Sequence, residues 1–314
     1  MLILHLGFPK CASTSLQEYF SHFNGFIGCN VREKVGSFYR EKLTTFFEGH
    51  LRFSPDRVFQ EHLNKCSEKI NNLCIHSATP TIYSNENVLC RMIPSDLPAS
   101  LKLERHKHIF KNPDYILINH RKPSSFFNSQ YRLFVTNGYT GTFSDFCQEM
   151  ELINPFGYHE YLDLTQLKED IKKIFPNSKT IFVDIAQKNS INHAMKILGL
   201  VYKEGFVGRH NIGIKIEDIN KHLELNKRQL PRKLYNDWIE IHRLTPESNI
   251  SDSYKFHLSR TRHMHEDLIS DLSNSISQKI NTNLELPSFI EKLDESYFNF
   301  LDQNKADCEG VRLI

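Results

Sequence analysis

Residues 1–20 of this 314-residue chain read MLILHLGFPKCASTSLQEYF. The apolar run over residues 2–6 is typical of a buried strand, and residues 7–13 predict a loop. Apolar side chains then recur at helical spacing as far as residue 23, which predicts a helix. Thr14 and Gln17 match a capping box, so the helix N-terminus is expected at the end of the loop. The order strand, loop, helix is the beginning of an α/β fold.

The same alternation of strands and helices continues along the chain. Strands are predicted at residues 81–84, 115–120 and 180–184, where short apolar runs occur. Helices are predicted to begin near Pro123 and Leu164, where apolar residues return at helical spacing. Strands that alternate with helices indicate a central, mostly parallel sheet flanked by helices on both faces. The sequence therefore predicts the α/β class.

The last third of the chain has a different pattern. After Gly213 the apolar runs follow the helical period only, so residues 214–314 are predicted to form an α-helical C-terminal extension. No linker rich in Gly, Ser or Pro separates them from the rest, and no internal repeat is visible. We therefore expect a single domain, residues 1–314, in which residues 1–213 form the α/β core.

Composition excludes several classes of protein. The 39 Lys and Arg nearly balance the 37 Asp and Glu, so the formal net charge is only +2, which argues against nucleic-acid binding by bulk charge. The seven cysteines are scattered and never form C-x-x-C, which indicates neither a disulfide framework nor a zinc site. The N-terminus lacks the basic leader of a signal peptide, and no run of about 18 apolar residues follows. These features predict a soluble cytoplasmic protein.

The loop after the first strand has the composition of an anion site. Backbone N–H groups at a helix N-terminus attract anions, and Lys10, Ser13, Thr14 and Ser15 add side-chain donors. An ordinary turn with a surface lysine is the plainer interpretation. The nucleotide triphosphatase loop G-x-x-x-x-G-K-[ST] matches poorly, because Lys10 precedes the hydroxyl residues and no glycine stands directly before it. A nucleotide or small-molecule kinase with Asp184 as its metal ligand remains an alternative.

Residues 5–17, HLGFPKCASTSLQ, resemble the phosphosulfate-binding loop of sulfotransferases that use 3′-phosphoadenosine 5′-phosphosulfate (PAPS). In that family the first strand runs into P-K-x-G-T-T or a near variant. Here Ala12 stands in place of the usual glycine, and Ser13 in place of the first threonine. A second segment is also similar, because the family has an Arg at a strand end and a helix Ser eight residues later, the spacing of Arg121 and Ser129. Two such motifs in the same order are more specific than either alone.

The resemblance implies a P-loop-like sulfotransferase fold, with PAPS as the sulfuryl donor and no metal. In the family the loop lysine contacts the bridging region of the donor, the rest of the loop holds its 5′-phosphate, and the Arg–Ser pair holds its 3′-phosphate. A basic loop, similar to residues 208–213 here, closes over the nucleotide. The binding residues implied for this chain are Lys10, Cys11, Ala12, Ser13, Thr14, Ser15, Arg121, Ser129 and Arg209.

The catalytic base that the resemblance implies is Glu86, which would act together with Lys10. Residues 84–86, SNE, follow a predicted strand and are similar to the Ser-x-Glu element of carbohydrate sulfotransferases and their bacterial relatives. A carboxylate at the active edge of a sheet can take a proton from an acceptor hydroxyl. A histidine, as in sulfotransferases of small phenols and steroids, is the competing base. Candidates in this region of the chain are His76, His106 and His108.

The expected acceptor is a hydroxyl or amine of a carbohydrate or glycan, which also follows from the resemblance around Glu86. Two basic stretches, residues 102–111 and 257–265, can contact an anionic glycan or, peripherally, a membrane surface, or they can be solvated helix faces. No transmembrane segment and no nucleic-acid partner are expected. A non-catalytic protein that retains the nucleotide site is the other alternative.

Overall fold

The computed structural model describes residues 1–21, 23, 25–28, 45–75, 80–91, 96–136, 139–153, 159–187, 189–200, 219, 223, 286–304 and 310–314. The chain divides into two compact units. The first comprises residues 1–126, 156–211 and 292–314, and the second comprises residues 127–155 and 212–291. The β-sheet belongs to the first unit.

The sheet has six strands, which are β1 Leu2–His5, β2 Gly25–Gly28, β3 Thr81–Ser84, β4 Tyr115–His120, β5 Lys179–Asp184 and β6 Val311–Leu313. Their order is β2-β3-β1-β4-β5-β6. The first five strands pair in parallel, and β6 runs antiparallel to β5. The α/β class with a mostly parallel sheet is thereby confirmed, and each predicted strand is present within one residue of its expected bounds.

Helices flank this sheet or follow its strands along the chain. They are α1 Ser13–Phe20, α2 Leu51–Phe53, α3 Asp56–Ile75, α4 Ala99–Phe110, α5 Pro123–Thr136, α6 Phe143–Ile153, α7 Leu164–Ile174, α8 Ser190–Ile197 and α9 Ser288–Gln303. A π-helical turn, Thr45–His50, precedes α2, and a 3-10 turn, Glu160–Leu162, precedes α7. The helices expected near Pro123 and Leu164 begin at those residues. Asp163 sets the start of α7, because its side chain accepts hydrogen bonds from the first N–H groups of the helix.

The end of the chain departs from the helical extension that the sequence predicts. Helix α9 lies within this range, and β6 at its end pairs with residues 181–183 of β5. A three-residue strand with a central arginine carries no periodic signal, so only its pairing with β5 makes it a strand. The expectation of helices alone after Gly213 is therefore wrong at this point. Most of the predicted extension lies outside the described residues.

The core of the first unit is built on the sheet. Ile3, Leu117 and Ile181, from three neighbouring strands, are fully buried in one cluster with Leu16 of α1 and Ala194 of α8. Burying an aliphatic side chain of the size of Leu or Ile contributes about 1.5–3 kcal/mol relative to leaving it exposed. This packing holds the strands in register, so the loops that leave their carboxyl ends start from a fixed edge.

Because four buried histidines have lowered pKa values, we expect acid to destabilise the protein. Burial lowers the pKa of His5 and His120 to about 3 and that of His106 and His159 to about 4, whereas an unfolded histidine titrates near pH 6.5. Between these values the unfolded state binds more protons than the folded state. The stabilisation is therefore complete above about pH 6.5 and is lost as the pH falls, by about 1 kcal/mol per pH unit for each histidine. Thermal unfolding is expected to take up about one proton from these residues at pH 7 and about three to four at pH 5.

The His120→Phe variant tests this assignment. Both ring nitrogens of His120 are buried without a hydrogen-bond partner among the described residues, so phenylalanine removes a titrating group and no hydrogen bond. At pH 5 we expect the uptake to be about one proton smaller than in the wild type. An uptake in His120→Phe equal to that of the wild type would contradict the prediction.

Candidate functional site

The loop between β1 and α1 has an uncommon backbone conformation. Lys10 and Ala12 have φ angles of 64° and 60°, in the left-handed region that residues with a Cβ rarely adopt. The N–H of Cys11 and the hydroxyl of Ser13 both donate to the Phe8 carbonyl, at 3.2 and 3.0 Å. Turns that combine left-handed and ordinary residues can point successive N–H groups into one concavity. The loop therefore has the kind of backbone that can form an anion cradle.

Helix α1 begins earlier than the predicted capping box requires. Its N-cap is Ala12, and no side chain caps the helix end. The capping box of Thr14 and Gln17 is therefore wrong, because Thr14 already lies inside the helix. The first N–H groups of a helix have no acceptor within the helix, and the helix dipole adds partial positive charge there. Beside the cradle, this end of α1 favours a negatively charged ligand.

Gly7 allows the loop to approach its own strand closely. A Cβ at this position would lie 3.2 Å from Nε2 of His5 and 3.3 Å from the hydroxyl oxygen of Ser13. His5 is buried, and its Nδ1 lies 2.7 Å from the hydroxyl of Ser84 on β3. The H-x-G pattern in the sequence thus has a packing reason, because the histidine ring lies where a side chain at position 7 would point.

Three parallel strands deliver predicted site residues to one edge of the sheet. Strand β1 lies between β3 and β4, and ligands bind to open α/β sheets where neighbouring connections diverge in this way. Lys10 follows β1, Glu86 follows β3, and Arg121 directly follows β4. The loop is also tied to β4, because the side-chain amide of Asn119 donates to the Cys11 carbonyl at 3.2 Å.

Lys10, Cys11, Glu86 and Arg121 share one electrostatic environment. Burial lowers the pKa of Lys10, the Glu86 carboxylate opposes this shift, and the Arg121 guanidinium adds to it. Burial raises the pKa of the Cys11 thiol to about 12, although the charge of the Arg121 guanidinium favours the thiolate. The structure therefore brings four of the predicted site residues together, with two cations and one carboxylate among them.

The Arg121 guanidinium has a hydrogen-bond donor that the described part of the protein does not use. Its Nε is buried and has no hydrogen-bond partner among the described residues. A guanidinium can hold a phosphate-type group through two parallel hydrogen bonds. An unused N–H beside Lys10 and the cradle therefore fits an anionic ligand at this edge of the sheet.

The other predicted binding residues are not all placed at this loop. Ser13 and Ser15 are buried in the first turn of α1, and the side chain of Thr14 lies outside the described part of the structure. Ser129 is half-buried on α5 and belongs to the second unit. Arg209 lies outside the described residues. The contributions of Ser129 and Arg209 stay predictions.

The basic stretch that coincides with α4 is largely internal. Lys102, Arg105 and His106 are buried, and the ammonium of Lys102 pairs with buried Asp96 at 3.2 Å. The expectation that these three residues contact a glycan or form a solvated helix face is therefore wrong. Their spacing of three and four residues places them on one side of α4 with buried Ile109. That helical spacing is the signal by which sequence reasoning could have found them.

Of the competing histidine bases, His106 is engaged within the protein. Nδ1 of His106 lies 2.6 Å from the Lys102 carbonyl, and its Nε2 lies 2.9 Å from the Tyr83 hydroxyl. Both ring nitrogens of this buried histidine are thus engaged within the protein. His108 is exposed on α4, and His76 lies outside the described residues.

Asp184, the metal ligand of the alternative kinase, is also engaged by the protein. It ends β5, is buried, and accepts the N–H of Ala186 at 3.0 Å. Burial and the nearby Asp184 carboxylate raise the pKa of Tyr297 on α9. Within the described ranges, no group of three or more His, Cys, Asp or Glu side chains is arranged to hold a metal ion. The kinase stays an alternative.

Comparison with known proteins assigns no family to the chain. No protein-family model matches it, and no curated protein matches it. Among the helices of the described residues, none combines the length and apolar character needed to cross a membrane. The ground for a functional proposal is therefore the site and its sequence motif.

Proposed function

We propose that this protein is a sulfotransferase that transfers a sulfuryl group from PAPS to a hydroxyl or amine of a carbohydrate or glycan. The observation that carries the proposal is the meeting of Lys10, Arg121 and Glu86 at a left-handed loop with the sequence HLGFPKCASTS. Sulfuryl transfer needs cations where negative charge develops and a base where the acceptor proton leaves. Both kinds of group are present in one environment at this loop.

The residues at the loop fit a donor that is anionic at both ends. In the proposal, Lys10 and the N–H groups of the loop and of α1 hold the phosphosulfate, with the hydroxyl residues 13–15 beside them. Arg121 holds the 3′-phosphate, for which its unused Nε supplies a donor. The resemblance adds Ser129 and Arg209 to the 3′-phosphate site.

The chemistry assigned to these residues is an in-line transfer. Glu86 takes the proton of the acceptor hydroxyl while the acceptor oxygen bonds to sulfur. The bond between sulfur and the bridging phosphate oxygen breaks, and Lys10 stabilises the negative charge that this oxygen gains. The products are the sulfated acceptor and 3′-phosphoadenosine 5′-phosphate (PAP), and Glu86 returns its proton to water.

PAP is expected to raise the melting temperature, whereas ATP with Mg²⁺ should have little effect. A ligand present at 100 times its Kd stabilises the folded state by about 2.7 kcal/mol. Thermal melts with equal concentrations of the two nucleotides, followed by calorimetric titration, measure the difference.

We also expect Arg121→Gln to weaken PAP binding about tenfold or more, because it removes a charge-assisted donor. The exposed Arg57→Gln is the control for this variant. In the melts of the wild type, a larger rise in melting temperature with ATP and Mg²⁺ than with PAP would overturn the proposal in favour of a kinase.

Transfer from labelled PAPS to a panel of glycans tests the catalytic part. Label on a carbohydrate acceptor supports the proposal and identifies the acceptor class. PAP binding without transfer to any acceptor would instead support the non-catalytic alternative. The basic stretch at residues 257–265, outside the described residues, stays a predicted contact for an anionic glycan or a membrane surface. The cytoplasmic location likewise stays a prediction.

A further inference from the structure

The residues on either side of Glu86 belong to a buried network of hydrogen-bonded polar groups. The preceding residue, Asn85, is fully buried, and its backbone N–H donates to the His5 carbonyl at 3.0 Å. The side-chain oxygen of Asn85 accepts the backbone N–H of Asn87 at 2.9 Å. Glu86 is therefore carried on a short turn whose two ends are bonded into the protein interior.

Tyr83 links this turn to α4. Its hydroxyl accepts the side-chain N–H of Asn85 at 2.9 Å and lies 2.9 Å from Nε2 of His106. Nδ1 of His106 faces the Lys102 carbonyl, which can only accept, so the proton is assigned to Nδ1. Nε2 is then an acceptor, and the Tyr83 hydroxyl donates to it. Each hydrogen bond from α4 to Asn85 thus has a defined direction.

Lys102 holds the other end of the same segment. Its fully buried ammonium donates to the carbonyls of Asn87 and Cys90, at 2.7 and 2.6 Å. Lys102 lies one helical turn before His106 on α4. A single side of this helix therefore restrains residues 83–90 on both sides of Glu86.

We propose that Tyr83 and His106 are positioning residues for Glu86. This role rests on the proposed function, in which Glu86 is the base. A base must lie within hydrogen-bond reach of the proton that it takes, and a displacement of about 1 Å can cost about 10²-fold in rate. Tyr83 and His106 are fully buried, so they act through the turn that they hold.

The Tyr83→Phe variant tests the role, because it removes only the hydroxyl that joins His106 to Asn85. Tyr161→Phe is the matched control, since Tyr161 is also fully buried and its hydroxyl donates to Asp170 at 2.9 Å. We expect Tyr83→Phe to lower kcat about tenfold or more, with PAP affinity and melting temperature changed no more than in the control. Hydrogen exchange at the Asn87 amide is expected to accelerate about tenfold in Tyr83→Phe and to stay unchanged in Tyr161→Phe.

Turnover and Asn87 exchange that are the same in both variants would overturn the positioning role. Failure of the proposed function looks different, because the wild type would then transfer nothing while Asn87 exchange still separates the two variants. That result would support the role of Tyr83 in holding the turn and would contradict the role of Glu86 as a catalytic base.

His106 provides a second test if Tyr83→Phe does not fold. His106→Gln has an amide oxygen that can accept the Tyr83 hydroxyl, whereas His106→Leu has no acceptor. We expect the glutamine variant to retain more turnover than the leucine variant at comparable melting temperatures. Equal loss of turnover in both would count against the role.

Discussion

Replacing Glu86 with glutamine is expected to lower kcat for sulfuryl transfer about 10²–10⁴-fold, with little change in PAP affinity. Glutamine has nearly the size of glutamate, but it cannot take the acceptor proton. Turnover with labelled PAPS and calorimetric titration with PAP measure the two quantities separately. Because the Glu86 carboxylate opposes the lowering of the Lys10 pKa by burial, the variant is also expected to have a lower Lys10 pKa than the wild type.

The exposed Glu169→Gln on α7 is the matched control and should retain wild-type turnover. Undiminished turnover in Glu86→Gln would remove this residue from the mechanism. Loss of PAP binding together with turnover would show that Glu86 supports the nucleotide site and does not act as the base.

Replacing Lys102 with methionine is expected to lower the free energy of unfolding by about 2–4 kcal/mol. The change removes the donor to the carbonyls of Asn87 and Cys90 and one of the two cations that pair with buried Asp96, which keeps Arg52 at 2.9 Å. Buried carbonyls that lose their donor are costly, because water does not reach them to replace it. Urea denaturation near neutral pH, followed by circular dichroism, measures the loss.

Lys173→Met is the control for this measurement, because Lys173 is exposed on α7. The expected change in the control is within about 0.5 kcal/mol. A loss in Lys102→Met no larger than that in the control would contradict the view that α4 anchors the segment behind Glu86.

Much of the first unit could be predicted from local sequence. The run YILINH at residues 115–120 forms β4, and Pro123 opens α5 as the first helical residue. Both features depend on neighbouring residues alone, since apolar runs favour buried strands and proline suits the first turn of a helix. By contrast, β6 could not be predicted, because it becomes a strand only through pairing with β5.

Two local predictions failed. The capping box of Thr14 and Gln17 gave way to a helix that starts after left-handed Ala12, and the loop before it closes locally on the Phe8 carbonyl. The charge of Lys102 and His106 suggested a surface, yet both are buried on α4. Buried polar groups are stable where they are hydrogen-bonded, and a one-dimensional pattern of charge does not reveal those partners.

For this protein, the sequence by itself determined the α/β class and named Lys10, Glu86 and Arg121 as candidates, because short-range periodicity and motifs carry that information. Only the tertiary structure decided that these residues meet, since their proximity depends on β1 lying between β3 and β4. It also decided that Tyr83, His106 and Lys102 support the turn behind Glu86. The physical reason is that strand order and hydrogen bonds between distant segments arise when the chain packs its core.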